Sequence, residues 1–247
     1  MEVKKVRKEE LQKATVEFLC RHDINIWSEL YRGFKNPPHI RIWHNLINGV
    51  IFGGTKRLCI LAPRDHAKSE VFAVNITAYL AKYGGEAWKW VYIFCNTQAQ
   101  ANEIIFRIHD AIAKCYPELI QSIVRDEVRE KIYSNGFRLT GKGTGASVRG
   151  AHPDLIIGDD ILDDDNSATN MSREKVKRWW FGTVTNMCKP TSAIIIEGTP
   201  QHELDLLMSL KDNPSYIWKR YPAEMEVPEE LEKKYGEVES YLEIIDV

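Results

Sequence analysis

The residues with the clearest chemical potential form the octet A-P-R-D-H-A-K-S, which runs from Ala62 to Ser69. A lysine and a hydroxyl at the start of a helix are the layout of a phosphate-binding loop, although alanine stands at both of its usual glycine positions. In such a loop backbone N–H groups bind phosphate, the lysine contacts the β- and γ-phosphates, and the hydroxyl holds Mg²⁺. The octet follows a predicted buried strand, which favours a nucleotide site over a solvated helix start. The predicted phosphate-binding residues are Pro63, Arg64, Asp65, His66, Ala67, Lys68 and Ser69.

A second candidate group ends the apolar run L-I-I-G-D-D, from Leu155 to Asp160. Phosphoryl transfer needs one carboxylate in the Mg²⁺ shell and another that aligns and deprotonates the attacking water. We expect Asp159 to bind the metal with the loop serine, and Asp160 to act as the base. A capped turn is the alternative for paired aspartates. The acidic residues 163–165 are expected to form a solvated turn, with a second metal site as the alternative.

Two further features complete a site for phosphoryl transfer. Thr199 follows the buried run I-I-I-E-G and is predicted to sense the γ-phosphate, with an ordinary strand exit as the alternative. An arginine that stabilises the transition state can raise the rate by about 10³ to 10⁵. Arg64 in the loop and Arg149 in S-V-R-G are the candidates, and an arginine paired with a surface carboxylate is the alternative for each.

Alternating strands and helices are predicted to position these groups. From Arg57 onward continuous apolar runs alternate with amphipathic helices, which predicts a mainly parallel sheet flanked by helices. Before the Pro-Pro break at residue 37 we expect one or two helices. A T-x-x-Q capping box at Thr97 precedes the clearest amphipathic helix, and an Asn-Gly pair within residues 129–140 predicts an antiparallel hairpin. The other predicted strands and helices are Arg57–Ala62, Trp88–Asn96, Leu155–Ile157, Ser192–Gly198 and helices near 67–82 and 172–188.

Composition places the chain among ordinary globular proteins. Of its 247 residues 28% are charged and 44% are hydrophobic, which excludes a disordered or collagen-like chain. The 33 basic and 35 acidic residues leave no basic excess, so any nucleic-acid contact must be local. The five cysteines are widely spaced and include no C-x-x-C pair, which disfavours a disulfide framework or zinc site and favours a reducing compartment. The sequence predicts neither a membrane span nor a signal peptide.

Three ordered segments closely resemble the ATPase domain of the large terminase subunit of tailed viruses. They are P-R-D-H-A-K-S, V-R-G-A-H-P-D-L-I-I-G-D-D-I-L-D-D and I-I-I-E-G-T-P-Q-H-E-L-D-L-L, within a resemblance that covers residues 37–223. The resemblance implies a DNA-packaging motor with a P-loop fold of the additional-strand class. It assigns Arg64, Lys68 and Ser69 to Walker A, Asp159 and Asp160 to Walker B, Thr199 to the coupling motif, and Arg149 to a finger acting on a neighbouring subunit.

The sequence departs from the family pattern in three places. Ala67 replaces the usual glycine before the lysine. A Cβ at this position would narrow the loop, but alanine tolerates a helical backbone well. Asp160 replaces the usual glutamate, so a shorter side chain must reach the water. The upstream segment that contacts adenine lacks its glutamine, and the adenine-side candidates are instead His39, Trp43 and His44, with Asn45 beside them.

We expect three regions: an N-terminal helical extension (1–36), the P-loop ATPase core (37–200) and a small C-terminal lid or linker (201–247). The nuclease domain that usually follows in the family is not expected in this chain, and we predict no nuclease activity.

The resemblance implies ATP hydrolysis with Mg²⁺ that drives double-stranded DNA into a procapsid. Its implied partners are DNA, the portal protein, the small terminase subunit and further copies of the chain, as a pentameric ring on the portal or a monomer in solution. The implied location is the host cytoplasm. The DNA-contacting candidates are Lys175, Lys177 and Arg178, and an amphipathic helix with solvated cations is the alternative. The alternative functions are a helicase-like ATPase and a nucleotide-gated assembly module with little hydrolysis.

Overall fold

The computed structural model describes residues 2–148 and 150–222, without the side chains of residues 2–11. The described chain divides into two compact units, and the boundary lies between Asn48 and Gly49. That boundary falls inside a helix and later than the predicted end of the helical extension at residue 36.

The first unit is helical, as the sequence predicts. Its helices are α1 (Glu2–His22), α2 (Ile24–Tyr31) and α3 (Pro38–Ile51), the last of which continues into the second unit. Asp23 caps α2, because its carboxylate accepts a hydrogen bond from the backbone N–H of Asn25 at 2.8 Å. The helix α3 was not predicted. It begins at Pro38, where a fixed φ and a missing N–H suit the first turn of a helix.

The second unit contains an eight-stranded sheet in the order β3-β4-β5-β2-β6-β7-β1-β8. The strands are β1 (Arg57–Leu61), β2 (Trp90–Cys95), β3 (Arg125–Glu127), β4 (Glu130–Ile132), β5 (Arg138–Gly143), β6 (Leu155–Asp159), β7 (Ala193–Gly198) and β8 (Ile217–Arg220). All pairs are parallel except β3 with β4 and β4 with β5. The predicted mainly parallel sheet and the antiparallel hairpin are both confirmed.

The position of β7 defines the topology. This strand lies between β1, which leads into the octet, and β6, which ends in the paired aspartates. An added strand between these two elements is the arrangement of the additional-strand P-loop class, which confirms the predicted fold class. Because parallel strands share the direction of their carboxyl ends, the chain segments after β1, β6 and β7 meet at one edge of the sheet.

Helices cover the sheet. In the second unit they are α4 (Ile76–Tyr83), α5 (Gln98–Cys115), α6 (Pro117–Gln121), α7 (Asp164–Ala168), α8 (Asn170–Trp179) and α9 (Leu206–Ser209). The predicted capping box is present, since Thr97 and Gln100 exchange hydrogen bonds at the start of α5. The helix after the octet begins as a π-helical turn, Glu70–Asn75, and α8 ends in another, Trp180–Val184. Such turns are frequently found at functional sites.

The region predicted as a lid contributes to the sheet, because β8 pairs with β1 and forms the edge of the sheet. No helix among the described residues is long and apolar enough to cross a membrane. All five cysteines carry free thiols.

Candidate functional site

The octet forms a tight loop whose backbone alternates in handedness. Asp65 and Ala67 have positive φ angles of 63° and 62°. Alternation of right- and left-handed residues points successive N–H groups into one concavity, the geometry of an anion-binding nest. The expectation that Ala67 keeps a helical backbone is wrong. Its left-handed conformation costs an alanine about 1 to 2 kcal/mol, and glycine avoids that cost.

Lys68 lies at the centre of the loop with 7% of its surface exposed. Its Nζ donates to the carbonyl of Pro63 at 2.8 Å and to Oγ1 of Thr199 at 3.3 Å. A buried ammonium needs such partners, since desolvation without hydrogen bonds costs several kcal/mol. The contacts hold the ammonium at the edge of the sheet where the three strands end.

The hydroxyl of Ser69 and the carboxylate of Asp159 lie at the same edge. Asp159 is 5% exposed, and its Oδ1 has no hydrogen-bond partner among the described residues. Its Oδ2 accepts from the thiol of Cys95 at 3.7 Å, and burial together with this carboxylate raises the pKa of that thiol. An unpartnered, buried carboxylate oxygen beside a serine fits a divalent cation, because Mg²⁺ is usually bound through one or two carboxylates and substrate phosphates.

A further carboxylate at this edge was not predicted from the sequence. Glu197 is fully buried in β7, directly opposite Asp159 of β6. Burial, and then the charge of Asp159 and a side-chain hydrogen bond with it, raise the pKa of Glu197 well above its ordinary range. The signal was present in the sequence, since an acidic residue interrupts the run I-I-I-E-G near its end, as the aspartates end the run of β6.

Asp160 follows β6 with a left-handed backbone, φ 47°. Its N–H donates to the carbonyl of Glu197 at 3.1 Å, and its Oδ1 accepts from the N–H of Thr199 at 3.4 Å. Burial raises the pKa of Asp160, while the positive charge of Lys68 opposes the rise. A raised pKa makes this carboxylate a better proton acceptor than an ordinary aspartate.

Thr199 connects the end of β7 to the loop. Its Oγ1 donates to the carbonyl of Ala62 at 3.1 Å and accepts from Lys68. The predicted coupling residue therefore lies among the predicted phosphate and base residues.

The two arginine candidates differ in what the structure describes. Arg64 is exposed in the loop, and its positive charge is the smallest of the contributions that oppose the raised pKa of Asp160. Arg149 lies outside the described residues.

The adenine-side candidates lie in α3 of the first unit. Trp43 and His44 are 1% and 0% exposed. Nδ1 of His44 lies 3.1 Å from Oδ1 of Asn25, and burial lowers the pKa of this histidine to about 4. His39 is half-buried and its ring meets that of Trp43 edge to face at 5.2 Å. In this unit Trp43 and His44 are core residues.

The candidate DNA-contacting cations of α8 have different surroundings. Lys175 and Arg178 are exposed, whereas Lys177 forms an ion pair with Glu174 at 3.1 Å. The neighbouring Arg173 is buried and donates to the carbonyl of Ser167 at 2.7 Å. Arg173 therefore caps the end of α7, and its guanidinium does not belong to an exposed basic surface.

The acidic residues after the paired aspartates form structure that was not predicted. Asp163 caps α7 through a capping box with Asn166, and its Oδ2 also accepts from Asn96 at 2.5 Å. The expected solvated turn is therefore wrong for Asp163, although Asp164 and Asp165 are exposed.

The strand order and the loop after β1 place this domain in the additional-strand class of P-loop folds. No family model matches the chain. The chain is 37% identical over 98 residues to the large terminase subunit of Enterobacteria phage T3. That match covers 38% of this chain and 16% of the relative, so the chain matches about a sixth of the relative's length. Over this segment the chain is similar to a phage large terminase subunit, which confirms the predicted resemblance.

Among solved structures the chain is similar to the large terminase ATPase domain of Thermus phage P74-26. The superposition covers 70% of this chain and 79% of that domain, with 16% identity and a TM-score of 0.48.

Proposed function

We propose that this chain hydrolyses ATP with Mg²⁺ and that hydrolysis drives double-stranded DNA into a viral procapsid. The observation that carries the proposal is the convergence of the Lys68 ammonium, the Asp159–Asp160 carboxylates and the Thr199 hydroxyl at one edge of the sheet. Sequence similarity to a phage large terminase subunit supports the same function.

The loop would bind the phosphates of ATP. Its nest of N–H groups cradles them, and Lys68 exchanges its bond to the Pro63 carbonyl for the β- and γ-phosphates. Ser69 and Asp159 would hold the divalent cation. When bound, Mg²⁺ neutralises charge that develops on the phosphate oxygens.

Asp160 would align a water molecule and take its proton as the water oxygen attacks the γ-phosphorus. The bond to the β–γ bridging oxygen breaks, and ADP and phosphate are the products. Arg64, or Arg149 from a neighbouring subunit, stabilises the charge of the transferring group. Release of phosphate is sensed by Thr199, because its hydroxyl contacts the lysine that held that phosphate.

The test is steady-state ATP hydrolysis as a function of protein concentration, with ATP affinity measured in parallel. Asp160→Asn should lower turnover by about 10²- to 10⁴-fold while ATP still binds, and the exposed Asp165→Asn should not. Specific activity should rise with concentration if a neighbouring subunit supplies Arg149, and Arg149→Ala should then abolish it. Wild-type turnover equal to that of Asp160→Asn would contradict hydrolysis at this site.

One observation favours a second candidate, a nucleotide-gated assembly module with little hydrolysis. The loop carries Ala67 in a left-handed conformation, and the base position holds an aspartate bonded to the N–H of Thr199. In that case ATP binds tightly, turnover stays low at every protein concentration, and ATP changes the oligomeric state.

The proposed partners are double-stranded DNA, a portal protein, a small terminase subunit and other copies of this chain in a ring. The proposed location is the host cytoplasm, with transient docking on the procapsid. Co-purification of the chain with a portal protein only when ATP is present would test that docking.

A further inference from the structure

Glu197 has no role in the chemistry described above, although it lies at the centre of the site. It is fully buried in β7, a strand whose other side chains are apolar. Its partner in register on β6 is Asp159. Residues directly opposite each other in neighbouring strands project their side chains to the same face of the sheet. Two carboxylates therefore share one face at the end of the strands.

The oxygens of Glu197 are aimed at the serine and lack a full set of partners. Its Oε1 accepts a hydrogen bond from Oγ of Ser69 at 3.4 Å, and its Oε2 has no hydrogen-bond partner among the described residues. Oδ1 of Asp159 is also unpartnered within the described part of the chain. Two ionised carboxylates beside a serine hydroxyl are costly to keep in a protein interior. They need either a proton that Asp159 and Glu197 share or a cation that takes the place of that proton.

We propose that Glu197 is a third oxygen donor to the divalent cation that accompanies ATP, beside Ser69 and Asp159. The inference rests on the proposed function, because the cation reaches this edge together with the nucleotide. The donor set suits Mg²⁺, which is bound by one or two carboxylates together with phosphate oxygens and water.

A merely structural role for Glu197 makes a different prediction. If Glu197 only orients Ser69, an amide oxygen would accept the same hydrogen bond, and Glu197→Gln would leave the site intact. If Glu197 is a metal donor, removal of its negative charge weakens cation binding and leaves the nucleotide contacts of the loop in place. The substitution therefore separates the two roles.

The experiment measures Mn²⁺ binding to the protein–ADP complex by electron paramagnetic resonance, with ADP affinity in EDTA measured beside it. For Glu197→Gln we expect Mn²⁺ affinity to fall by about 10- to 100-fold, while ADP affinity in EDTA changes by less than about twofold. The exposed Glu203→Gln is the matched control and should bind Mn²⁺ as the wild type does. Glu197→Asp, which keeps the charge on a shorter side chain, should bind with intermediate affinity. Circular dichroism establishes that each variant is folded.

Equal Mn²⁺ affinity of the wild-type and Glu197→Gln complexes overturns the inference and leaves the proposed function standing. A wild type that binds no ADP, with or without Mn²⁺, overturns the proposed function and the inference together. The two failures are therefore distinct.

Discussion

Oγ1 of Thr199 lies 3.3 Å from the ammonium of Lys68 and 3.1 Å from the carbonyl of Ala62. One hydroxyl at the end of β7 thus contacts both ends of the loop that follows β1. This arrangement connects the phosphate-binding loop directly to the chain after residue 200.

Replacement of Thr199 by valine should weaken that connection, because valine has nearly the same shape and no hydroxyl. We expect the free energy of unfolding to fall by about 1 to 2 kcal/mol, since two hydrogen bonds are removed. Turnover should fall more than ATP affinity. Thermal unfolding and ATP hydrolysis measure the two effects, with the exposed Thr191→Val as the control. If the variant loses turnover only in proportion to its loss of ATP affinity, a coupling role for Thr199 is contradicted.

Replacement of Ala67 by glycine should stabilise the domain, since the residue has φ 62° and glycine adopts this conformation without steric cost. The gain should be about 0.5 to 1 kcal/mol after the greater entropy of the unfolded glycine is subtracted. That gain raises the melting temperature by about 1 to 4 °C. The matched control is Ala113→Gly in the helix α5, which should lower the melting temperature. A lowered melting temperature for Ala67→Gly would contradict strain in the loop.

The stability of the domain should depend on the protonation of Asp160. Burial raises the pKa of this carboxyl in the folded state, so the folded state holds the proton more tightly than the unfolded chain. The stability that this proton contributes is complete below the unfolded pKa of about 4. It is lost as the pH rises through the folded pKa.

Asparagine does not ionise, so Asp160→Asn does not lose stability as the pH rises. Asparagine also tolerates the left-handed backbone at this position. The variant should therefore become more stable relative to the wild type as the pH rises above about 4. Chemical denaturation over a pH series, with Asp165→Asn beside it, measures the difference. A difference that is independent of pH would mean that Asp160 does not titrate abnormally.

Replacement of Gly158 by alanine should displace the core residue Trp180, whose ring packs against β6. A Cβ at this position would lie 3.1 Å from Cη2 of Trp180 and 3.1 Å from Cγ1 of Ile196. The overpacking should cost about 1 to 3 kcal/mol. Trp180→Phe in the same chain should recover part of that cost, which a double-mutant cycle detects. Gly182→Ala is the control, because no atom of the described residues lies within 4 Å of its added Cβ.

Charge reversal on α8 should alter DNA binding if this helix contacts the phosphates. For Lys175→Glu with Arg178→Glu, affinity should depend less steeply on salt. The magnitude of the slope of log affinity against log salt concentration should fall by about 0.9 for each phosphate that the variant no longer neutralises. Lys114→Glu on α5 is the exposed control. An unchanged slope would exclude these two side chains from the DNA surface.

The sequence predicts the strands that carry the site because these strands are buried on both faces, so their apolar runs are continuous and their polar ends stand out. Strand β8 was not predicted, since Ile217–Arg220 is a partly exposed edge strand without such a run. The π-helical turn after Ser69 and the left-handed Ala67 depend on tertiary contacts that no local pattern encodes. Glu197 was overlooked because its partners, Ser69 and Asp159, are brought to it only by the strand order.

The strand order also constrains how the domain forms during synthesis. Both neighbours of β1 in the sheet, β7 and β8, are encoded near the end of the described chain. A nascent chain therefore carries Arg57–Leu61 without its sheet partners until residues 193–220 have left the ribosome, and closure of such long loops is slow. The phosphate-binding loop acquires its support late, so fragments that lack β7 and β8 should be sensitive to proteolysis at the octet rather than partially active.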